Sequence, residues 1–127
     1  MHPAKQFFID HYNNKKMYIH SRCVLDCCLE MADTHDNKDV FIIASWIHDM
    51  GKKDDKPNHH LASIKYLDLF IQQYPAYQEI YDTIKDCIIN HRTQGQPVCA
   101  QAKLFQKADK RALTHKDWLI YKGQKST

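Results

Sequence analysis

Apolar residues recur at every third or fourth position along nearly the whole chain, which is the spacing of helices that bury one face. Strict alternation of apolar and polar residues, which is typical of strands, is hard to find. The spacing predicts helices over residues 4–12, 17–31, 40–48, 59–72, 76–90 and 98–113. We therefore expect an all-α fold, a single compact bundle of about six helices.

The predicted helix 40–48 differs from the others because it is apolar nearly all round. That pattern is typical of a helix at the centre of a fold, and we expect Trp46 to be a core residue. The segment after Lys116 carries one more apolar patch. We expect its aromatic residues, Trp118 and Tyr121, to pack on the core.

The composition supports one globular domain. In a chain of 127 residues, a hydrophobic fraction of 43% can fill a single core but not two. The low content of glycine and proline, three and four residues, favours long helices joined by short loops. No internal repeat or linker divides the chain, so we interpret residues 1–127 as one domain.

Charge and cysteine content restrict the partners and the compartment. The formal net charge of +3 comes from lysines mixed with acids, so we expect a small anionic substrate and no extended nucleic-acid surface. The first residues lack the apolar core of a secretory signal, and no stretch approaches the roughly 20 apolar residues of a membrane span. Five cysteines without a CxxC pair are expected to be reduced and buried. These features predict a cytoplasmic protein.

Nine histidines are the outlier of the composition, and one of them begins the most informative string in the chain. His48 and Asp49 end the apolar helix, and a glycine and Lys52 follow. Adjacent side chains point apart on a regular helix, but they can converge on one ion where the helix ends. A second such dipeptide, His35-Asp36, lies in a polar loop, and we interpret it as solvated.

Four further metal-capable residues fall at or near the ends of predicted helices: His20, His59, His91 and Asp109. Imidazole and carboxylate together suit Mn, Fe, Co, Ni or Zn better than Ca. Between the neighbours His59 and His60, helical spacing to Ser63 favours His59, and we expect His60 to be exposed. The residues therefore predict a site for a divalent transition metal.

The ordered set His20, His48-Asp49 and Asp109 resembles the H…HD…D signature of the HD-domain superfamily of metal-dependent phosphohydrolases. Local strings are similar too, namely residues 44–52 with their HD-x-GK ending, His59 with Ser63, 89–92 and 108–110. The resemblance spans residues 17 to about 113, which would be the motif-bearing core. It implies the all-helical fold of that superfamily.

The resemblance also implies one divalent metal ion held by His20, His48, Asp49 and Asp109. Two further histidines, His59 and His91, match positions that bind a second ion in dinuclear members and face the substrate phosphate in others. Both alternatives stay open, so we expect one or two ions. In the dinuclear case the chain is similar to small HD proteins that hydrolyse dinucleoside polyphosphates. It lacks the glutamate-aspartate element of stringent-response hydrolases and the GYP motif of cyclic-dinucleotide phosphodiesterases, so those subfamilies are poorer matches.

The function that the resemblance implies is hydrolysis of a phosphate ester or anhydride of a small metabolite, which we interpret as a nucleotide. Asp49 is expected either to bridge two ions or to orient the attacking water. Lys52 is interpreted as a phosphate contact rather than only a cation at a helix end. Arg92 is either a bidentate phosphate ligand or the partner in a surface salt bridge.

Two other functions fit the same residues. A di-iron oxygenase on the same fold would use the six-ligand set to activate oxygen. A non-catalytic signalling or scaffold module would keep the fold without the reaction. The intact series of ligands counts against the scaffold, because a scaffold has no need to keep helix-borne ligands.

Overall fold

The structure, a computed structural model, describes residues 1–126, and this part of the chain is all-helical, without a strand. Its α-helices are, in chain order, α1 Pro3–His11, α2 Lys15–Met31, α3 Lys38–Ile47, α4 His59–Gln73, α5 Tyr81–Ile89, α6 Ala100–Arg111 and α7 Lys116–Ser126. Short 3₁₀ helices cover Met50–Lys53, Pro75–Ile80 and Ala112–Thr114. None of these helices has the length and apolar composition needed to cross a membrane. The prediction of an all-α fold is confirmed.

Helix α3 lies at the centre of the fold, as its apolar pattern predicted. Most of its residues are buried, Phe41 and Trp46 among them, and it contacts α1, α2, α5 and α6. The Asn37 side chain accepts a hydrogen bond from the backbone N–H of Asp39 and caps the first turn. The helix ends at Ile47, inside the core. The next two residues, His48 and Asp49, are therefore buried as well.

Helices α2 and α6 are packed against each other and carry the first and the last of the predicted metal ligands. α2 buries His20 on the same face as Val24. α6 buries Phe105 and Ala108, and Asp109 follows directly. This helix pair brings together two side chains that are 89 positions apart in the sequence.

The segment after residue 115 forms α7, where the sequence had indicated only an apolar patch. α7 packs against α2, and its Trp118 is 7% exposed. The ring of Trp118 lies edge-on to the ring of His20, with 5.4 Å between the centroids. Tyr121 is half-buried beside Trp118. The expectation that both aromatic residues pack on the core is confirmed.

The predicted helix 76–90 is shorter in the structure. It divides into the 3₁₀ helix Pro75–Ile80 and the α-helix α5. No residue of the 3₁₀ helix is buried. Its apolar side chains Tyr77 and Ile80 are only partly buried against the core. Because packing supplies most of the stability of a short helix, an α-helical continuation there would gain little.

The predicted loop 51–58 is more ordered than expected. It begins within the 3₁₀ helix Met50–Lys53, in which Met50 and Gly51 are buried. This turn packs against the start of α4. It therefore fixes how the end of α3 sits relative to the first residue of α4.

All five cysteines are free thiols, and four of them are buried. Burial raises the pKa of the Cys28 thiol to about 12, so this side chain stays neutral and behaves as a small hydrophobic residue. Cys99 is half-buried, and its Sγ accepts a hydrogen bond from the backbone N–H of Ala102 at the start of α6. The prediction of buried cysteines is correct except at Cys99.

Candidate metal centre

The structure brings all the predicted metal ligands into one cluster. Their nitrogen and oxygen atoms form three overlapping groups, and within each group the atoms lie within 4.8 Å of one another. The members are His20, His48, Asp49, His59, His91 and Asp109. They come from five parts of the fold, since only His48 and Asp49 are neighbours in sequence, so the cluster exists only when the helices are packed.

The first half of the cluster consists of His20, His48, Asp49 and Asp109. Oδ2 of Asp49 lies 3.4 Å from Nε2 of His20 and 3.2 Å from Nε2 of His48. Oδ1 of Asp109 lies 3.2 Å from each of the same two nitrogen atoms. Two imidazoles and two carboxylates therefore surround one point.

The second half of the cluster uses the other oxygen of Asp49. Oδ1 of Asp49 lies 3.1 Å from Nε2 of His59 and 3.7 Å from Nε2 of His91. The two imidazole nitrogens are 3.1 Å apart. Asp49 is only 2% exposed, and its two oxygens face two different pairs of histidines. This is the arrangement expected of a carboxylate that bridges two ions.

Three of the histidines are oriented in the same way by the backbone. Nδ1 of His48, His59 and His91 lies 2.8, 3.0 and 2.6 Å from the carbonyl oxygen three residues earlier. A carbonyl oxygen can only accept, so each Nδ1 carries a proton and donates it. A hydrogen bond of this kind fixes the ring and turns Nε2 towards the cluster, which is how metal-binding histidines are usually held.

His20 is held differently. Its Nε2 lies at hydrogen-bond distance, 3.2 Å, from Asp109, and a carboxylate can only accept, so this nitrogen carries the proton. Its Nδ1 is buried and has no hydrogen-bond partner in the described part of the chain. The ring would have to move this proton to Nδ1 or lose it before Nε2 could bind an ion.

The cluster needs positive charge at its centre. Nε2 of His48 is buried without a hydrogen-bond partner among residues 1–126, although two carboxylate oxygens are close to it. Nε2 of His59 and Nε2 of His91 face each other. In each neutral ring the proton is on Nδ1, so neither Nε2 can donate a hydrogen bond to the other. Ligands about 2.1 Å from one ion lie about 3.0–3.4 Å apart. The ligand-to-ligand distances given above fall in this range, except for the 3.7 Å between Asp49 and His91. The residues could therefore hold a metal ion.

Without a metal, a proton on His48 supplies part of that charge. Burial lowers the pKa of His48, but the carboxylates of Asp49 and Asp109 outweigh it and raise the pKa to about 10. Burial opposes ionisation of Asp49 as well, and the charge on His48 still holds the Asp49 pKa well below its usual range. Burial and the charge on His48 lower the pKa of His91 to about 4, so His91 is neutral at pH 7.

A cleft of about 330 Å³ opens over the cluster, and we call it the cluster cavity. Lys52 and Arg92, the two predicted phosphate contacts, line its wall. Nζ of Lys52 lies 3.7 Å from Oδ2 of Asp49. Thr93, Gln94 and Leu113 also line the cavity, and the sequence analysis did not identify them. Their only sequence signal is that Thr93 and Gln94 follow His91 closely.

Arg92 does not form the salt bridge that was one of its two predicted roles. Within residues 1–126 its Nη1 donates to the carbonyl of Pro57 at 3.2 Å and to Nδ1 of His60 at 2.8 Å. The expectation that His60 is exposed is wrong, because Arg92 packs on it and leaves it half-buried. Burial and the charge of Arg92 lower the pKa of His60, which keeps its Nδ1 an acceptor.

Gly51 and Ser63 connect the end of α3 to α4. The backbone N–H of Gly51 donates to Oγ of Ser63 at 2.8 Å, and that hydroxyl donates to the carbonyl of His48 at 2.8 Å. A Cβ added at Gly51 would lie 2.5 Å from the carbonyl oxygen of His59. The close packing of these backbones sets the distance between the His48-Asp49 pair and His59.

We expect Gly51→Ala to lower the free energy of unfolding by about 1–3 kcal/mol, because the new methyl group forces α4 away from the 3₁₀ turn. Thermal unfolding followed by circular dichroism measures this. Gly123→Ala is the matched control, since a Cβ at Gly123 meets nothing within 4 Å. Because alanine favours α7, the control should be about 0.5–1 kcal/mol more stable than the wild type. Equal stability of the two variants would contradict the packing argument.

A second group of metal-capable side chains, Asp26, His115 and Asp117, lies nearer the surface. Nδ1 of His115 accepts a hydrogen bond from the backbone N–H of Asp117, so its Nε2 carries the proton and donates to Asp26 at 3.2 Å. Every nitrogen of this imidazole is therefore satisfied without an ion. The contrast with His48 shows that composition alone does not identify the metal centre.

The fold and the site together define the class: an all-helical protein with a buried His/Asp cluster that could hold a metal ion. Comparison with known proteins adds no relative to this description. No protein-family model matches the chain, and no match was found among curated proteins or solved structures.

Proposed function

We propose that this protein is a metal-dependent phosphohydrolase that acts on a small phosphorylated metabolite of the nucleotide class. The observation that carries the proposal is the division of Asp49, whose two oxygens face two separate pairs of histidine Nε2 atoms. Four imidazole nitrogens around one buried carboxylate are the donors that two divalent ions would need. The resemblance of the ordered ligands to the HD-domain superfamily supports the same reaction class.

Divalent ions in the cluster would supply a water whose pKa falls from 15.7 towards about 7, together with polarisation of a phosphoryl oxygen. The residues of the chain do the rest. Asp49 and Asp109 hold the ligand set in a fixed geometry, since their carboxylate oxygens lie 3.1–3.4 Å from histidine nitrogens. Fixed dipoles and charges of this kind cost no reorganisation during the reaction.

The cations in the wall of the cluster cavity would bind the phosphate. Lys52 is half-buried, and its ammonium group lies 3.7 Å from Oδ2 of Asp49, the oxygen that also faces His20 and His48. Arg92 offers a guanidinium that no acid among the described side chains neutralises, so its charge is available to phosphate oxygens. The hydroxyl of Thr93 and the amide of Gln94 add polar contacts in the same wall.

The first test is elemental analysis of the protein purified without chelator, before and after reconstitution with Mn, Fe, Ni or Zn. We expect two equivalents of metal in the wild type and one in His59→Ala, because this substitution removes a ligand of the second half only. Turnover of a panel of phosphorylated nucleotides should disappear on chelation and return with the metal. Wild-type protein that binds no metal under any of these conditions would refute the proposal.

Two other results would favour a different function. Tightly bound iron with oxygen consumption and no phosphate release would favour the di-iron oxygenase, which uses the same six ligands. Tight metal binding without turnover of any phosphorylated compound or oxygen would favour a signalling or scaffold module. Each result contradicts the phosphohydrolase by a different measurement.

A further inference from the structure

A second cavity of about 290 Å³ adjoins the cluster cavity, and we call it the side cavity. The two cavities share four lining residues: His91, Thr93, Asp109 and Leu113. A ligand in one cavity can therefore reach into the other without leaving the protein surface. The remaining wall of the side cavity is α6, which contributes Gln106, Lys107 and Lys110.

The two lysines of the side cavity have no ion-pair partner among the described side chains, although Asp109 also lines the cavity. Lys107 and Lys110 are three residues apart on α6, so they are neighbours on the surface of that helix. In the described part of the chain neither forms an ion pair, whereas Arg111 beside them lies 3.5 Å from Glu30. The nearest acid in sequence, Asp109, directs its Oδ1 to His20 and His48. Two like charges without a partner favour an anion between them.

The opposite wall of the side cavity is held in place by hydrogen bonds to α6 and α5. Nε2 of Gln106 donates to the carbonyls of Arg92 and Gly95, at 2.8 and 3.1 Å. Oδ1 of Asn90 accepts from the backbone N–H of Gln96 at 3.3 Å. The turn that carries Thr93 is therefore tied to the helix that carries the lysines. A wall fixed in this way loses little conformational freedom when a ligand binds.

We propose that the side cavity is the subsite for a second phosphate group of the substrate, bound by Lys107 and Lys110. The substrate class is then a phosphoanhydride rather than a simple monoester, an inference that rests on the proposed function. In the hydrolysis, the oxygen of water forms a bond to the phosphorus at the cluster, and the bond from that phosphorus to the bridging oxygen breaks. The bridging oxygen leaves with the electron pair as part of the second phosphate, and the protons of the water are released to the products and solvent.

The test compares two stable phosphonates, which separates binding from turnover. Calorimetry measures the binding of methylphosphonate and of methylenediphosphonate to the Mn²⁺-loaded protein. Methylenediphosphonate should bind at least about tenfold more tightly, because only it can reach both cavities. The double variant Lys107→Ala/Lys110→Ala should lose this difference and keep its affinity for methylphosphonate.

Lys103→Ala is the matched control, since Lys103 is an exposed lysine of the same helix that lines neither cavity. Its metal centre is the same, so chelation of Mn²⁺ by the ligand affects all three proteins equally. The control should keep the wild-type preference for the diphosphonate. Equal binding of the two phosphonates by the wild type, or an unchanged preference in the double variant, would overturn the subsite.

Turnover then distinguishes the two proposals. If the wild type hydrolyses pyrophosphate and p-nitrophenyl phosphate, the double variant should lose at least about tenfold in kcat/KM for pyrophosphate only. If the diphosphonate preference depends on the lysines but no compound is hydrolysed, the proposed function fails and the anion subsite stands. If hydrolysis occurs without the preference, the subsite fails and the proposed function stands.

Discussion

Replacing Asp49 with asparagine is expected to remove the bound metal and to lower turnover by at least about 10³-fold. Asparagine keeps the shape of the side chain but replaces the carboxylate with a neutral amide. In the wild type one carboxylate oxygen lies beside His48 and the other beside His59. Both halves of the cluster lose their shared ligand in one substitution. Substitution of His20 or of His59 alone should not have this effect, since His20 belongs to one half and His59 to the other.

The metal content of Asp49→Asn, measured by elemental analysis beside the wild type, decides this prediction. Asp36→Asn is the matched control, because Asp36 also follows a histidine but lies in the loop before α3. The control should bind metal and turn over substrate like the wild type. Thermal unfolding of the metal-free proteins checks that Asp49→Asn still folds. A folded Asp49→Asn protein that keeps its metal or its activity would refute the bridging role.

Metal affinity is expected to increase with pH, by about tenfold per pH unit near neutrality. The pKa of His48 in the metal-free protein is about 10, because the two carboxylates outweigh the effect of burial. Below that pH the incoming ion must displace the proton of His48. His91, whose pKa is about 4, has no proton to lose at pH 7. The dependence should therefore level off only above about pH 10.

Calorimetric titration of Mn²⁺ into the metal-free protein, in two buffers of different ionisation enthalpy, counts the released protons. We expect release of the His48 proton when the first half of the cluster fills. The stability of the metal-free protein has the opposite trend: a raised pKa stabilises the fold fully below the unfolded value of about 6.5, and this contribution is lost as the pH rises through about 10. His35→Ala removes an exposed histidine and should change neither result. Affinity that is independent of pH would contradict the prediction.

The helical fold could be predicted because the information for it is local. The apolar residues of α3 recur in every turn of that helix. Pro75 ends α4 by its own backbone chemistry, whatever the position of the rest of the chain. α7 was not predicted as a helix, because its apolar face is short: Trp118 and Tyr121 pack inward, whereas Leu119 and Ile120 are exposed. Its formation depends on the surface that α2 offers, which is a tertiary effect.

The metal ligands could be nominated from sequence, but their division into two halves could not. A motif orders His20, His48, Asp49 and Asp109 along the chain, whereas the direction of each Asp49 oxygen depends on how α4 packs on the 3₁₀ turn. Lys107 and Lys110 lie beside Asp109 in the sequence, but scattered lysines are common on helices, so the sequence did not mark them as ligands of an anion. Their position in the wall of a cavity is known only from the fold.

The contact between His20 and Asp109 has a topological consequence. The two residues are separated by 89 positions, so ions held between them would close a loop that includes most of the chain. Such a closure acts as a reversible cross-link of the folded chain, because ions that bind only the packed helices add their binding free energy to the stability of the fold. The lifetime of this protein against proteolysis would then depend on the supply of metal. Removal of the metal would weaken the attachment of α2 and of α6 at the same time.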